Sequence, residues 1–168
     1  MLYNRSPHFV RTVVVARRKA MTTTYSEVFV QLVWSTLGRT PWITEELEKP
    51  LYYAMTKKCQ DLGCPPIALG GTDDHVHVLV SLARDVSIAT LAKDVKGSSA
   101  HFVTHHLTAN PIFRWQRGYG AFSIRKTDIP TVRNYILHQK QHHLANTIAS
   151  DWEPRVDDSP HPPSVTRS

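Results

Sequence analysis

Four short stretches of the chain, mostly apolar and bounded by turn residues, predict four β-strands. The strands are expected over residues 25–36, 66–70, 75–80 and 118–124. Side chains of a strand point alternately to opposite faces. In the third strand the three valines therefore share one face, whereas His75, His77 and Leu79 share the other. The valine face suits a protein core, and the other face carries two imidazoles one pleat apart.

Three helices are predicted from apolar spacing and capping residues. The expected N-caps are Thr44, Ser87 and Asp128, for helices that end near Leu62, at Asn110-Pro111 and near His143. Pro50 inside the first helix indicates either an interruption or a later start, and both alternatives stay open. The order strand, helix, strand, strand, helix, strand predicts an α+β fold. We expect a ferredoxin-like (RRM-like) antiparallel sheet with helices on one face, an uncovered histidine face and a further C-terminal helix.

The composition predicts one domain with short extensions. The chain of 168 residues is long enough for one sizeable core, and it has no apolar run of membrane-spanning length. We expect residues 1–21 to be a disordered extension or to precede a natural start at Met21. Residues 150–168 are rich in Pro and Ser and are predicted to be disordered, which leaves 22–149 as the domain. Cys59 and Cys64 make no disulfide framework and fit reduced thiols in a cytoplasmic protein.

The distribution of charge says more than the formal net charge of +6. Without the five basic residues of the N-terminal extension, 15 basic residues balance 14 acidic ones. Between residues 113 and 143, however, six basic residues and one acid are interleaved with aromatic residues. This pattern is typical of a surface for single-stranded nucleic acid, although a solvated basic surface explains it about equally well. The candidate DNA-binding residues are Arg114, Arg117, Arg125, Lys126 and Arg133, together with Lys96.

Four residues are candidates for chemistry. His75 and His77 are close enough on one strand face to hold a single ion, although such a pair is more often a hydrated sheet surface. Tyr135 and Gln139 are four apart in the third helix and project from one side of it. Taken singly, the tyrosine is more often a half-buried aromatic and the glutamine a solvated side chain. A phenol beside a metal-ligating amide is what attack on a phosphodiester by a tyrosine needs.

These stretches together resemble the single-tyrosine HUH transposases of insertion-sequence 200 type, which include the REP-associated tyrosine transposases. The resemblance covers roughly residues 22–145. It is carried by Tyr25–Thr36, Gly70–Leu79, Lys96–Ser99, Phe113–Ser123 and Asn134–His143. Its motifs are highly specific in combination, and no departure touches the four candidate residues.

The resemblance implies a DNA transposase that cleaves and rejoins single-stranded DNA near hairpins. Tyr135 would be the nucleophile and would form a covalent 5′-phosphotyrosine. Its reference pKa of about 10 means that it needs activation or a polarised phosphate. His75, His77 and Gln139 would hold Mg²⁺ or Mn²⁺. The resemblance also implies a homodimer in which each subunit lends its Tyr135 helix to the other's histidine pair.

Two other function classes compete with this one. The first is a catalytically idle module, or a host-resident relative, that binds repeat palindromes in DNA or RNA. The presence of both Tyr135 and Gln139 argues against a module without catalytic activity, since nucleic-acid binding alone requires neither residue. The second is a metal-dependent hydrolase of small phosphoesters, which lacks the carboxylates that two-metal sites require. The small residues Gly97-Ser98-Ser99 indicate either close approach of DNA or tight helix packing.

Overall fold

The computed structural model describes residues 25–107 and 112–145. In chain order its elements are β1 (Phe29–Ser35), α1 (Glu45–Asp61), β2 (Pro66–Gly71), β3 (His75–Ser81), α2 (Ile88–His106), β4 (Gly120–Ile124), α3 (Ile129–Leu137) and α4 (Gln139–Leu144). Short 3₁₀ helices at Leu37–Arg39 and Lys126–Asp128 follow β1 and β4. The extensions predicted at 1–21 and 150–168 lie outside the described residues.

The four strands form one antiparallel sheet in the order β2-β3-β1-β4. With α1 between β1 and β2, and α2 between β3 and β4, this is the ferredoxin-like arrangement, so the predicted fold class is confirmed. β1 lies in the middle of the sheet, between β3 and β4. Its apolar residues on both faces therefore follow from its central place and do not indicate a strand that joins two subunits.

One face of the sheet carries the main hydrophobic core under α1 and α2. Buried side chains from β1, β3 and both helices form one cluster, which includes Leu32, Val78, Leu51 and Leu91. Both helices have the predicted caps: the hydroxyls of Thr44 and Ser87 accept hydrogen bonds from main-chain N–H groups three residues on, at 3.4 and 3.0 Å. Burying one such aliphatic side chain stabilises a fold by roughly 1.5–3 kcal/mol. This layer is the main hydrophobic support of the sheet.

Two helix boundaries differ from the sequence prediction. α1 is continuous from Glu45 to Asp61, so Pro50 neither interrupts it nor delays its start. Pro50 is the sixth residue of the helix, near enough to the N-terminus that only one main-chain hydrogen bond of the first turns is lost. α2 ends at His106, before the predicted stop at Asn110-Pro111, and residues 108–111 lie outside the described ranges.

The predicted third helix is two helices. Asp128 does not cap it: its carboxylate instead accepts hydrogen bonds from Arg125 Nε at 2.9 Å and from Thr127 Oγ1 at 3.0 Å. At His138 the backbone leaves helical geometry, with φ −112° and ψ 22°, and α4 starts at the next residue. The second half of the predicted helix is therefore a separate short helix, with a direction of its own.

The opposite face of the sheet is partly covered, which corrects the expectation of an uncovered histidine face. α3 packs on the β2 side of this face, where Val132 and Ile136 are buried with Ala68 and Leu79. Gly70 permits the close approach, because a Cβ atom there would lie 2.2 Å from the main-chain oxygen of Ile136. The helix that carries Tyr135 is therefore held directly against the sheet.

The two cysteines belong to the main core. Cys59 and Cys64 are buried free thiols, and burial together with the neighbouring Cys64 raises the pKa of Cys59 to about 12. A thiol with so high a pKa stays protonated at neutral pH, so Cys59 contributes to core packing and does not act as a nucleophile. No helix in the described ranges is long and apolar enough to cross a membrane.

Candidate active site

His75, His77 and Tyr135 meet where α3 covers the sheet. The two imidazole centroids are 5.2 Å apart, and the Tyr135 ring lies 6.0 Å from that of His77, nearly perpendicular to it. The three residues are 1%, 0% and 5% exposed, respectively. Since all three belong to one chain, the nucleophile candidate reaches the histidine pair without help from a second subunit.

Gln139 is the first residue of α4, the helix that also brings two further imidazoles to this site. Its side chain is 1% exposed, and neither atom of its amide group has a hydrogen-bond partner among the described residues. His142 and His143 follow three and four residues later, and their rings lie 4.9 Å from Tyr135 and 4.8 Å from His75, respectively. Residues three and four apart share one side of a helix. The break at His138 thus separates Gln139 from the helix of Tyr135 but leaves both directed to one place.

The neighbours of His75 locate the proton on its ring. Nδ1 lies 2.6 Å from Asp74 Oδ1 and 2.8 Å from Thr72 Oγ1. Burial of Asp74 opposes its ionisation, but the hydrogen bond to His75, the charges of His75 and Arg39 and the hydrogen bond from Thr72 outweigh burial and lower the Asp74 pKa to about 2. An ionised carboxylate only accepts, so Nδ1 of His75 carries the proton. The lone pair of Nε2 is then the one that a metal ion can use.

The ring of His77 is held from the neighbouring strand by Gln31. Nε2 of Gln31 and Nδ1 of His77 are 3.0 Å apart, and both side chains are fully buried. Gln31 stands opposite Leu79 in the β1–β3 register, one pleat from the pairing position of His77. Each histidine therefore has its Nδ1 atom in contact with a neighbouring polar side chain: Asp74 and Thr72 for His75, and the buried Gln31 for His77.

The sequence analysis assigned no role to Gln31 or Asp74. Gln31 did give a signal, because it is the one polar residue in the run from Phe29 to Trp34 and a central strand rarely buries an amide without use. Asp74 gave a weaker signal, since an acid before a strand is common in turns. Only the fold shows that these two side chains contact the histidine rings.

The side chains predicted to bind a metal ion are two imidazoles, of His75 and His77, and one amide, of Gln139. Among the described residues, no three His, Cys, Asp or Glu side chains cluster so that they can hold a metal. A site would therefore depend on the Gln139 amide, which is buried with unsatisfied donor and acceptor atoms. Two imidazole nitrogens and a neutral oxygen fit Mn²⁺ best and Mg²⁺ less well. The ligand assignment stays a prediction.

The candidate DNA-binding residues fall into separate regions of the surface. Arg114 and Arg117 are exposed beside α2, and Arg133 is exposed on α3. Lys126 pairs with Glu27 at 2.7 Å, and Arg125 pairs with Asp128 at 2.9 Å, both at the surface. Lys96 donates to the main-chain oxygens of Gln116 and Gly118. The basic pattern of the sequence is thus not one continuous patch, and the DNA-binding roles stay predictions.

Comparisons with known proteins agree with this architecture. A family model described as "Transposase IS200 like" matches residues 24–139. A solved structure of a protein assigned as a transposase from Deinococcus radiodurans R1 superposes with a TM-score of 0.56 at 21% identity, covering 68% of this chain and 92% of the other. A REP-associated tyrosine transposase bound to a REP hairpin superposes with a TM-score of 0.54 at 18% identity, covering 83% and 78%. No curated protein matched the sequence. At these identities the two structures show a shared fold.

Proposed function

Because the chain belongs to the IS200-like transposase family, we propose that it cleaves and rejoins single-stranded DNA through a covalent bond to Tyr135. The observation that carries the proposal is the placement of the Tyr135 phenol ring 6.0 Å from the ring of His77, on a helix held against the histidine face. A buried tyrosine whose only role was packing would not need two imidazoles with engaged Nδ1 atoms beside it.

The first chemical step is a transesterification at phosphorus. The Tyr135 hydroxyl oxygen attacks a DNA phosphodiester, and the bond from phosphorus to the 3′ oxygen breaks as the new bond forms. The phenol loses its proton and the departing oxygen gains one, which leaves a free 3′-hydroxyl and a 5′-phosphotyrosine. Because the phosphoester is conserved, a 3′-hydroxyl can later attack the phosphotyrosine, join the strands and release Tyr135.

His75, His77 and Gln139 are the residues that would hold a divalent cation in this site. Mn²⁺ or Mg²⁺ bound there would neutralise the negative charge that builds up on the phosphate. The contribution of the protein is to orient the ligands: Asp74 holds the His75 proton on Nδ1, and the buried Gln139 amide offers an oxygen from α4.

DNA access requires movement of α4. Tyr135 is 5% exposed, and the rings of His142 and His143 lie against Tyr135 and His75. A phosphate must come within about 3 Å of the phenol oxygen to react. The six-residue helix follows the break at His138, so a rotation there would withdraw both imidazoles together and uncover the nucleophile.

We take single-stranded DNA that carries hairpins as the substrate. The REP-associated relative was solved with a REP hairpin, and the family acts on DNA. Incubation of the protein with Mn²⁺ and such DNA should yield a protein–DNA adduct that survives denaturation. The alternative, an idle module or host-resident relative that binds repeat palindromes, predicts hairpin binding without any adduct.

Gln31 is proposed to position His77 for metal binding. The amide nitrogen of Gln31 lies against Nδ1. A half-turn of the amide would place its oxygen there instead, so that Nδ1 carries the proton and Nε2 keeps a lone pair. Gln31→Leu should then weaken Mn²⁺ binding by about 10- to 100-fold, as loss of an outer-shell partner typically does. Gln31→Glu, which keeps an acceptor, should retain most of the affinity. Calorimetric titration with Mn²⁺ measures both.

Gln60→Leu is the matched control for Gln31→Leu, because Gln60 is exposed on α1. Thermal unfolding of each variant reports the cost of losing a buried amide separately from metal affinity. If Gln31→Leu binds Mn²⁺ as the unaltered protein does, Gln31 fills space and does not position His77.

The protein is further proposed to act as a homodimer, the commonest oligomer. The predicted exchange of Tyr135 helices between subunits is not needed to build the site, because Tyr135 lies beside His77 of the same chain. Mixing Tyr135→Phe protein with His77→Ala protein under conditions of subunit exchange should therefore restore no cleavage. Unaltered protein mixed with Tyr135→Phe should keep its activity. Recovery of cleavage in the first mixture would establish shared sites.

A further inference from the structure

Arg39 is the one residue other than glycine in the ranges 25–107 and 112–145 whose φ angle is positive, at 51°. It ends the short 3₁₀ helix Leu37–Arg39, and Gly38 before it has a φ angle of 61°. A residue with a Cβ atom is strained in this left-handed region, whereas glycine adopts it freely. Such strain persists only where the surroundings hold the residue in place, and it is concentrated at functional sites. An arginine at this position is therefore best explained by a role of its side chain.

The side chain of Arg39 binds both oxygens of the Asp74 carboxylate. Nε of Arg39 lies 2.9 Å from Oδ2, and Nη2 lies 3.4 Å from Oδ1. Within the described part of the chain, Arg39 is the residue that donates to Oδ2, since the contacts with Thr72 and His75 are made by Oδ1. A guanidinium that meets both oxygens fixes the plane of a carboxylate as well as its position. Arg39 thus determines how the Asp74 carboxylate is oriented.

The main chain around Arg39 is anchored to the turn that carries Asp74. The N–H of Thr36 donates to the main-chain oxygen of Asp74 at 2.8 Å, and the N–H of Ile43 donates to that of Asp73 at 2.8 Å. The hydroxyl of Thr36, a fully buried residue, adds a bond to the same Asp74 oxygen at 3.1 Å. These bonds lie on both sides of Arg39 in the chain. They set the place of its side chain relative to Asp74.

Asp74 in turn lies against His75. Its Oδ1 atom accepts from Nδ1 of His75 at 2.6 Å, which leaves the Nε2 lone pair for a metal ion. The exposed fraction of the side chain falls along this series, from 51% for Arg39 through 18% for Asp74 to 2% for His75. The three side chains therefore connect the surface to a buried metal-ligand candidate.

The simplest alternative is that the pair of Arg39 and Asp74 only stabilises the loop. The Arg39 side chain is half-exposed, and ion pairs of this kind contribute little to stability because water screens them. The left-handed backbone of Arg39 opposes even that small gain. The orientation that Arg39 imposes on Asp74 is thus a better explanation than stability.

We infer that Arg39 is a positioning residue for the candidate metal site and that it acts through Asp74 on His75. The inference rests on the proposed function, in which His75 is a metal ligand. By fixing the Asp74 carboxylate, Arg39 restricts rotation of the His75 ring. Less conformational freedom is then lost when the ion binds, and the affinity for the ion is higher.

Arg39→Gly is expected to weaken Mn²⁺ binding while leaving the protein at least as stable. Loss of a direct outer-shell partner typically costs about 10- to 100-fold in metal affinity, and Arg39 is one step further from the ion, so we expect a loss of about 3- to 10-fold. Glycine relieves the left-handed strain, so the melting temperature should stay the same or rise. Calorimetric titration with Mn²⁺ and thermal unfolding of the metal-free protein measure the two effects.

Gly38→Ala is the matched control, because it adds strain at the neighbouring position and keeps the Arg39 side chain. A Cβ atom at Gly38 would meet nothing closer than Thr40 Oγ1 at 3.9 Å, so the substitution strains the backbone without a clash. The melting temperature should fall, whereas Mn²⁺ affinity should match that of the unaltered protein. Normal Mn²⁺ binding by Arg39→Gly, or an equal loss of affinity in Gly38→Ala, would overturn the inference.

Asp74→Asn decides whether Arg39 acts through Asp74. Alone it should weaken Mn²⁺ binding by about 10- to 100-fold, because Asp74 is the direct partner of His75. Once Asp74 is replaced, Arg39→Gly should cost nothing further, so the double variant should bind as Asp74→Asn does. A double variant whose loss equals the product of the two single losses would show that Arg39 acts by another route, which contradicts the inference.

Failure of the proposed metal site gives a different result from failure of this inference. If the unaltered protein binds no Mn²⁺, or if His75→Ala binds it equally well, His75 is not a ligand and the inference is wrong together with the metal site. If Mn²⁺ binding depends on His75 but not on Arg39, the inference alone is wrong.

Discussion

Tyr135→Phe is expected to abolish the covalent protein–DNA adduct, with a fall in cleavage of at least roughly 10³-fold, as for removal of a nucleophile in other enzymes. The phenylalanine ring fills the same buried space between His77 and His142, so the fold should be kept. The substitution removes one hydroxyl, and we expect a change in unfolding free energy of about 1 kcal/mol or less. The measurement is denaturing gel electrophoresis of the protein after incubation with labelled hairpin DNA and Mn²⁺.

Tyr53→Phe serves as the control, since Tyr53 is 71% exposed on α1, far from the histidine face. It should form the adduct at the rate of the unaltered protein. An adduct of undiminished yield in Tyr135→Phe would show that another residue is the nucleophile. Loss of the adduct in both variants would show that the loss is not specific to Tyr135.

Loss of either histidine is expected to have the second largest effect. His75→Ala or His77→Ala should weaken Mn²⁺ binding by more than about 100-fold, beyond the 10- to 100-fold typical of outer-shell changes. Cleavage should fall in parallel, whereas hairpin binding in EDTA should stay nearly unchanged, because neither histidine is among the candidate DNA-binding residues. Calorimetric titration with Mn²⁺ and the adduct assay measure the two effects.

Both histidines are almost fully buried, so alanine also leaves a cavity that lowers stability. His77→Asn keeps most of the volume and a polar group, and thermal unfolding will show whether it is folded. His106→Ala is the control, because His106 is exposed at the end of α2 and its ring contacts are with His101 and Phe102 of the same helix. If His75→Ala and folded His77→Asn show normal metal affinity and normal cleavage, the two histidines do not bind the metal and have only a structural role in the sheet.

The local sequence determined the elements of this fold because their signals are local. Alternation of valines with histidines defines β3 whatever surrounds it. Thr44 and Ser87 cap helices through main-chain groups only three residues away, and both caps are present. The order of the elements then leaves few ways to bury the valine faces, and the ferredoxin-like sheet is one of them. The roles of the four candidate residues were predicted from the family motifs and not from these local signals.

Local signals failed where the outcome depended on packing. Asp128 has the residue type of a cap, but Arg125 and Thr127 compete for its carboxylate. His138 has no sequence feature that breaks a helix, yet the chain turns there so that α4 can place Gln139, His142 and His143 against the site. Spacing alone treated this segment as one continuous helix.

The sequence by itself thus determined the strands, the helical caps at Thr44 and Ser87, the histidine face and the candidate nucleophile. The tertiary structure decided three further matters. It places α3 on the sheet of the same chain, and it brings Gln31 and Asp74 to the histidine rings. It also separates Arg114 and Arg117, beside α2, from Arg133 on α3. The physical reason is separation along the chain. Gln31 and His77 are 46 residues apart, and no periodicity or spacing connects them. Their contact exists only because β1 pairs with β3, and that pairing is a property of the whole folded sheet.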